Sequence, residues 1–157
     1  MLQRIQTIWL FFATVALFGL FLFPCIQVLN SLNGSAKVIK VSGVYENIGG
    51  QVVQTQPFLL LTIATVILGM LPFVAIFFYQ NRKKQIAICY ITILAVLAHS
   101  FWLVQSAKQA VGGIVLELEN YGIGLLLPSL TILCIIFAIR GIRKDDKLVK
   151  SADRLRG

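Results

Sequence analysis

The chain has 157 residues, 58% of them hydrophobic and 13% charged, and 14 Lys and Arg against 6 Asp and Glu give a formal net charge of +8. A water-soluble domain of this size has too little interior for so much apolar surface, so an ordinary soluble globular protein is excluded. Three cysteines, an odd number at different expected depths, exclude a disulfide framework.

A short start carrying Arg4 leads into Ile8–Val28, a stretch of 21 residues without Asp, Glu, Lys or Arg. About 20 apolar residues suffice to cross a hydrocarbon core roughly 30 Å thick at about 1.5 Å per residue. The apolar run from Ile8 to Phe23 exceeds the roughly 7–15 residues of a cleaved signal. Pro24 also stands where a lipoprotein signal needs a small residue before Cys25. The first element is therefore expected to be a retained transmembrane helix.

Residues 29–57 form a long loop with strand character. Lys37-Val38-Ile39-Lys40-Val41, Val44-Tyr45-Glu46 and Gln51-Val52-Val53-Gln54-Thr55 are rich in β-branched residues, and Ser42-Gly43 and Asn47-Ile48-Gly49-Gly50 punctuate them. A hairpin-like element of two or three strands is expected over one mouth of the helices.

Three further uncharged stretches follow: Phe58–Tyr79, Ile86–Ala107 and Tyr121–Ile139, of 22, 22 and 19 residues. The turn Gln80-Asn81-Arg82-Lys83-Lys84-Gln85 between the first two is short, which makes those helices antiparallel neighbours. Small and polar residues recur at steps of three and four. Thr62, Thr65, Gly69 and Pro72 mark one face, Thr92, Ala95, His99, Trp102 and Ser106 a second, and Gly124, Pro128, Thr131 and Ala138 a third. Lipid tails supply no hydrophobic drive between helices, so faces that permit close approach are expected to point inward.

His99 is the one candidate intramembrane polar site. Buried ionisable groups at depth invite a functional reading, yet a neutral imidazole bonded to Ser100, Gln27 or Tyr121 is the plainer expectation. No second histidine, and no carboxylate within a span, is present to build a metal set or an activated nucleophile. Glu117 and Glu119, at the start of the fourth helix, suit the helix dipole better than paired acid–base chemistry. No catalytic, cofactor-binding or metal-binding residue is therefore assigned, and the chain is expected not to be an enzyme.

The tail from Arg140 onward is strongly basic. Leu148, Ala152 and Leu155 share a face, Asp145 and Asp146 precede them, Arg154 and Arg156 follow, and Asp146 pairs with Lys150 at i, i+4. A short amphipathic helix at the membrane surface results. With both termini cytoplasmic, 11 of the 14 basic residues lie inside and 3 outside, as the positive-inside rule prefers. Membrane orientation then accounts for the charge without nucleic acid. The candidate contacts for anionic inner-leaflet lipid, or for a membrane or cytoplasmic protein partner, are Gln3, Arg4, Gln6, Arg143, Lys144, Asp145, Asp146, Lys150, Asp153 and Arg154.

Two ends of the chain carry a family resemblance. The opening Met1-Leu2-Gln3-Arg4-Ile5-Gln6-Thr7 and the closing Ile139–Arg156, with its run Arg143-Lys144-Asp145-Asp146-Lys147, resemble the bacterial four-span membrane proteins of domain-of-unknown-function family 4293. The resemblance covers essentially the whole chain. It implies a multi-pass protein of the bacterial inner membrane and supplies no activity. Residues 1–157 are thus expected to form a single all-α membrane domain. Its architecture would be an antiparallel four-transmembrane-helix bundle with a small β element outside and a short cytoplasmic C-terminal amphipathic helix. An accessory or scaffold subunit is the first functional expectation; a small oligomeric carrier or channel using His99 and the small-residue faces is the alternative.

Overall fold

The computed structural model describes residues 3–30, 35–48, 51–112 and 120–155. Helix α1 spans Gln3–Gly19, and strands β1 (Ile26–Asn30), β2 (Ser35–Lys40), β3 (Gly43–Ile48) and β4 (Gln51–Pro57) follow. Helices α2 (Leu59–Phe77), α3 (Arg82–Val111) and α4 (Leu127–Leu155) complete the chain, with one 3-10 turn at Ile123–Leu126 leading into α4.

Each helix meets two others, α1 with α2 and α4, and α3 with α2 and α4. The side-chain pairs fix their directions. Thr65 meets His99 and Gln85 meets Ala75, so α2 and α3 run antiparallel. Trp9 packs on Phe137 with ring centroids 4.9 Å apart, and Arg143 reaches Tyr90, which sets α4 against both α1 and α3. The first residues of α1, the α2–α3 turn and the basic half of α4 consequently gather at one end. The sheet covers the other.

Three helical segments are long and apolar enough to cross a membrane: Leu59–Phe77, Arg82–Val111 and Ile123–Val149. Their outward surfaces carry Leu60, Ile63, Ile67, Met70, Leu94, Leu97, Phe101, Leu130 and Leu133, all exposed. Their inward surfaces carry Thr65, Gly69, Thr92, Thr131 and Ala138. An apolar exterior around a small, partly polar interior is the arrangement that lipid favours and water does not. The chain is a membrane protein.

The end of the first apolar stretch departs from expectation. The helix anticipated over Ile8–Val28 instead begins at Gln3 and ends at Gly19, and Ile26–Asn30 is a strand. Pro24 has no N–H to continue the helix and pushes Phe23 out of the α region. The chain tightens before it, with Leu20 N–H donating to Leu17 O and Phe21 N–H to Phe18 O, three residues back. Ile26 and Val28 then alternate with Gln27, pairing antiparallel with Ile39, Lys37 and Val38 of β2.

That extra strand makes a four-stranded antiparallel meander, β1-β2-β3-β4, where two or three strands were expected. Its buried residues Ile26, Val28, Ile39, Val41 and Val44 pack with Leu17 and Leu20 of α1, Leu61 of α2, and Leu103, Ala107 and Val111 of α3. At about 1.5 Å per residue α3 is roughly 45 Å long, so its last turns stand beside the sheet instead of ending beneath it. Gly43 closes the β2–β3 hairpin at φ 149°, and a Cβ there would lie 2.3 Å from Gln56 O. Lys37 and Glu46, opposite each other across β2 and β3, form an ion pair at 2.8 Å. Of the loop signals, Gly49 and Gly50 lie outside the described residues, as do Glu117 and Glu119.

The tail is the other correction. No separate surface helix follows the fourth span; α4 runs unbroken for 29 residues, from Leu127 to Leu155. Nothing between Ile139 and Lys147 breaks a helix except Gly141. That glycine sits where α1 crosses closely, since a Cβ would stand 3.0 Å from Gln6 Cγ. The helix continues roughly 24 Å beyond Ile139, its first turns packed on α1 and α3 through Ile142, Arg143 and Asp145 and its last turns, from Lys147, beyond those contacts.

Candidate functional site

The two regions singled out in the sequence, His99 and the basic end, have different characters in the structure.

His99 lies on the buried face of α3, and its Nε2 is 2.8 Å from Thr65 Oγ1 of α2. The anticipated partners Ser100, Gln27 and Tyr121 do not fill that role. Thr65 Oγ1 itself donates to Leu61 O at 2.7 Å, so its oxygen is left to accept from His99 Nε2–H. The neighbouring hydroxyls are tied down in the same way. Thr92 donates to Ile88 O, Thr131 to Leu127 O and Ser100 to Val96 O, each four residues back on its own helix. Each of these hydroxyls has its proton engaged on its own helix and keeps only acceptor capacity toward a neighbouring one. The inward face of α3 is Gln85, Cys89, Thr92, Val96, His99 and Leu103; Trp102, expected on it, is exposed. The pair joins α2 to α3 in the manner of an interhelical clasp.

This geometry predicts a sign pattern. His99→Leu or Thr65→Val alone should cost about 1 kcal/mol, because the single change removes an interhelical hydrogen bond at depth. The double variant should cost less than the two singles together. Unfolding midpoints in mixed micelles measure the coupling; strict additivity would mean the two side chains act independently.

At the basic end the helices are fastened by charge. Arg82, the first residue of α3, reaches Asp145 Oδ2 at 3.2 Å and Asp146 Oδ1 at 3.8 Å on α4. Asn81 caps α3, its side-chain oxygen accepting from Lys84 N–H at 3.4 Å. Arg143 donates to Tyr90 Oη at 2.6 Å, with its guanidinium 5.9 Å from that ring's centroid. Three residues expected to contact a partner, Arg143, Asp145 and Asp146, are thus engaged within the chain. The i, i+4 partner foreseen for Asp146, Lys150, has its side chain outside the described residues, and the partner seen is Arg82. This partner had no local signal, because it lies 64 positions earlier and is placed by the α2–α3 turn.

Gln6 stands beside Gly141 and is 6% exposed. The side chains of Gln3, Arg4, Lys150, Asp153 and Arg154 lie outside the described part of the structure. Lys144 is exposed, as are Lys147, Leu148 (47%) and Val149 (45%). Those four form a basic and apolar surface on the projecting part of α4. All three cysteines are buried and free. Among the described residues no three His, Cys, Asp or Glu side chains gather closely enough to hold a metal ion.

No curated protein matches the chain. A family model described as domain of unknown function (DUF4293) matches residues 2–155. That match runs through α1, the sheet, the remaining helices and the projecting end of α4. The chain belongs to the DUF4293 family.

Proposed function

We propose that this is a non-enzymatic four-span protein of the bacterial inner membrane, with both termini cytoplasmic, which serves as an accessory or scaffold subunit. The observation that carries the proposal is the projecting half of α4. Its base is held by Arg82 and Tyr90, and its free surface presents Leu148 and Val149 among lysines. A helix fixed at its root with Leu148 and Val149 exposed beyond it suits a groove on another protein. Anionic lipid attracts the same basic residues at the helix base.

The first helix supports a fourth crossing beside the three long ones. Helix α1 spans about 25 Å, and the apolar turn Leu20–Phe23 extends it. Its start lies beside Gly141 and its end beside Leu127, so it traverses the same distance as the Leu127–Gly141 part of α4. The basic residues at the shared end support a cytoplasmic position for that end, with the sheet outside, by the positive-inside rule.

The test is copurification of the full-length chain beside a chain ending at Lys147, which keeps Asp145 and Asp146 for Arg82. A stoichiometric protein lost with residues 148–157, and lost equally in Leu148→Asp, is the expected result. Retention of the same companion by both altered chains would remove the tail as the docking surface.

A further inference from the structure

We infer that two copies of the chain pair through the free edge of β4, joining their sheets into one antiparallel sheet. The sheet has two edges, and the fold treats them differently. The outer edge of β1 is covered by the segment leading into α4, through the Ile26–Tyr121 bridge and the bond from Gly122 N–H to Cys25 O at 2.9 Å. Among the described residues, β4 pairs with β3 alone. Alternate residues of such an edge turn N–H and C=O groups outward, ready to receive another strand.

That edge lacks the usual protection. Strand β4 is the longest of the four, seven residues from Gln51 to Pro57, and all seven are exposed. Lys37 and Lys40 stand on β2 and Glu46 on β3, whereas β4 carries no charge. Pro57 and a bulge guard only its last residues: Val44 meets Gln56 and Tyr45 meets Gln54, so Thr55 is the extra residue. Gln51–Gln54 remains a regular, uncharged edge, with Val52 73% and Val53 45% exposed. Natural sheets seldom leave such an edge open, because it recruits a further strand.

The occupant of an edge is an extended segment, and a second copy is the one that arrives aligned. Helix α2 opens at Leu59, two residues after Pro57, so its own span holds the edge at a fixed height. A second copy inserted the same way presents the same edge at the same height, and confinement to the membrane raises its effective concentration. A two-fold axis normal to the sheet makes identical edges antiparallel, like the rest of the sheet. The edge also suits itself. Two uncharged strands meet without like-charge repulsion, valines cover one another, and glutamine amides both donate and accept. A strand from a different protein would be selected better by charge, which this edge does not carry. Side chains stand above and below a paired sheet, so β4 stays open to reagents.

Under this symmetry one residue faces its own counterpart across about 5 Å, and each step along the strand adds about 7 Å of offset. The regular stretch centres the axis on Val52 or Val53. The pairing rests on the sheet standing at the membrane surface beside α2 and needs no protein on the tail, so its failure would leave the copurification result standing.

The test introduces single cysteines at Gln51, Val52, Val53, Gln54 and Thr55 of the full chain, with Asn47, exposed on β3, as the control; the native cysteines are buried. After oxidation in native membranes, Val52→Cys or Val53→Cys should give the dominant disulfide dimer. Its yield should exceed that of Asn47→Cys, and of positions two residues removed, by at least about fivefold, because a disulfide needs Cα atoms within roughly 7 Å. The unaltered chain in lipid nanodiscs should weigh as two copies by native mass spectrometry. Val52→Lys combined with Val53→Lys should lower the dimer about tenfold by setting like charges against each other. Mixing that chain with one carrying Val52→Glu and Val53→Glu should restore a dimer of one copy of each. Equal cross-linking at all six positions, a monomeric unaltered chain, a dimer indifferent to the lysines, no recovery on mixing, or a different protein cross-linked at Val53→Cys would each overturn the inference.

Discussion

Gly122→Val is expected to destabilise the chain by about 3 kcal/mol, at the upper end of what overpacking costs. A Cβ at Gly122 would lie 2.2 Å from Pro24 O, and the obstructing atom is backbone, which cannot swing aside as a long side chain does. The surrounding contacts make the displacement costly. Gly122 N–H donates to Cys25 O at 2.9 Å and Gly124 N–H to Pro24 O at 3.0 Å. Ile26 also bridges to Tyr121, so this short segment covers the outer edge of β1. Pushing it away would expose that edge and detach the start of α4 from the sheet. The loss should appear in the unfolding midpoint in mixed micelles and in faster hydrogen exchange across residues 26–30. Gly112, where a Cβ meets nothing within 4 Å, is the control. At its φ of 68°, Gly112→Asn should be nearly neutral.

Arg82→Glu should cost about 2 kcal/mol, between the small value of exposed ion pairs and the 3–5 kcal/mol of fully buried ones. Arg82 and Asp145 are both largely covered, at 22% and 14% side-chain exposure, and Asp146 is more open at 37%. Reversal would set a third carboxylate against two others. Asp145→Lys added to Arg82→Glu should recover most of the loss, because it restores an opposite pair. A double-mutant cycle measures this, with limited proteolysis after Lys144 and Lys147 as a second readout. Failure of the second change to rescue the first would show that the α2–α3 turn is not fastened to α4 by charge. High salt should weaken the fastening only modestly, because covered pairs are screened less than exposed ones.

Much of the architecture was legible because lipid imposes a simple length requirement. Leu59–Phe77 falls within one residue or two of the uncharged stretch that announced it, and Arg82–Val111 extends its stretch at both ends. Those extensions are physical. Asn81 caps the helix ahead of the lysines, and the residues past Ala107 gain the sheet as a packing surface that hydropathy does not register. Gly124, Pro128, Thr131 and Ala138 all face inward, as the small-residue rule required. On α3 the same rule missed Val96 and Leu103, because two large residues there pack against neighbours on other elements.

The first apolar stretch misled for a related reason. Phe21-Leu22-Phe23-Pro24-Cys25-Ile26 is hydrophobic whether it lies in lipid or beneath a sheet, and only Pro24 marked the change. The candidate contacts at the basic end were found as a group, yet their division was not legible. Whether Arg143 meets Tyr90 or a partner depends on the rotation of α4 against α3, and Gln6 becomes buried only because Gly141 lets α1 approach. Neither relation has a signature in local spacing.

The central claim is that the projecting half of α4 lies in the cytoplasm, four crossings from the start of the chain, with the sheet outside. The most direct test places single cysteines at Gln51 on exposed β4 and at Lys147 on exposed α4, the native cysteines being buried. A membrane-impermeant maleimide is then applied to intact and to permeabilised cells. Labelling of position 51 in intact cells, with position 147 reached only after permeabilisation, is the predicted result. Labelling of both positions from one side, or the reverse pattern, would contradict it.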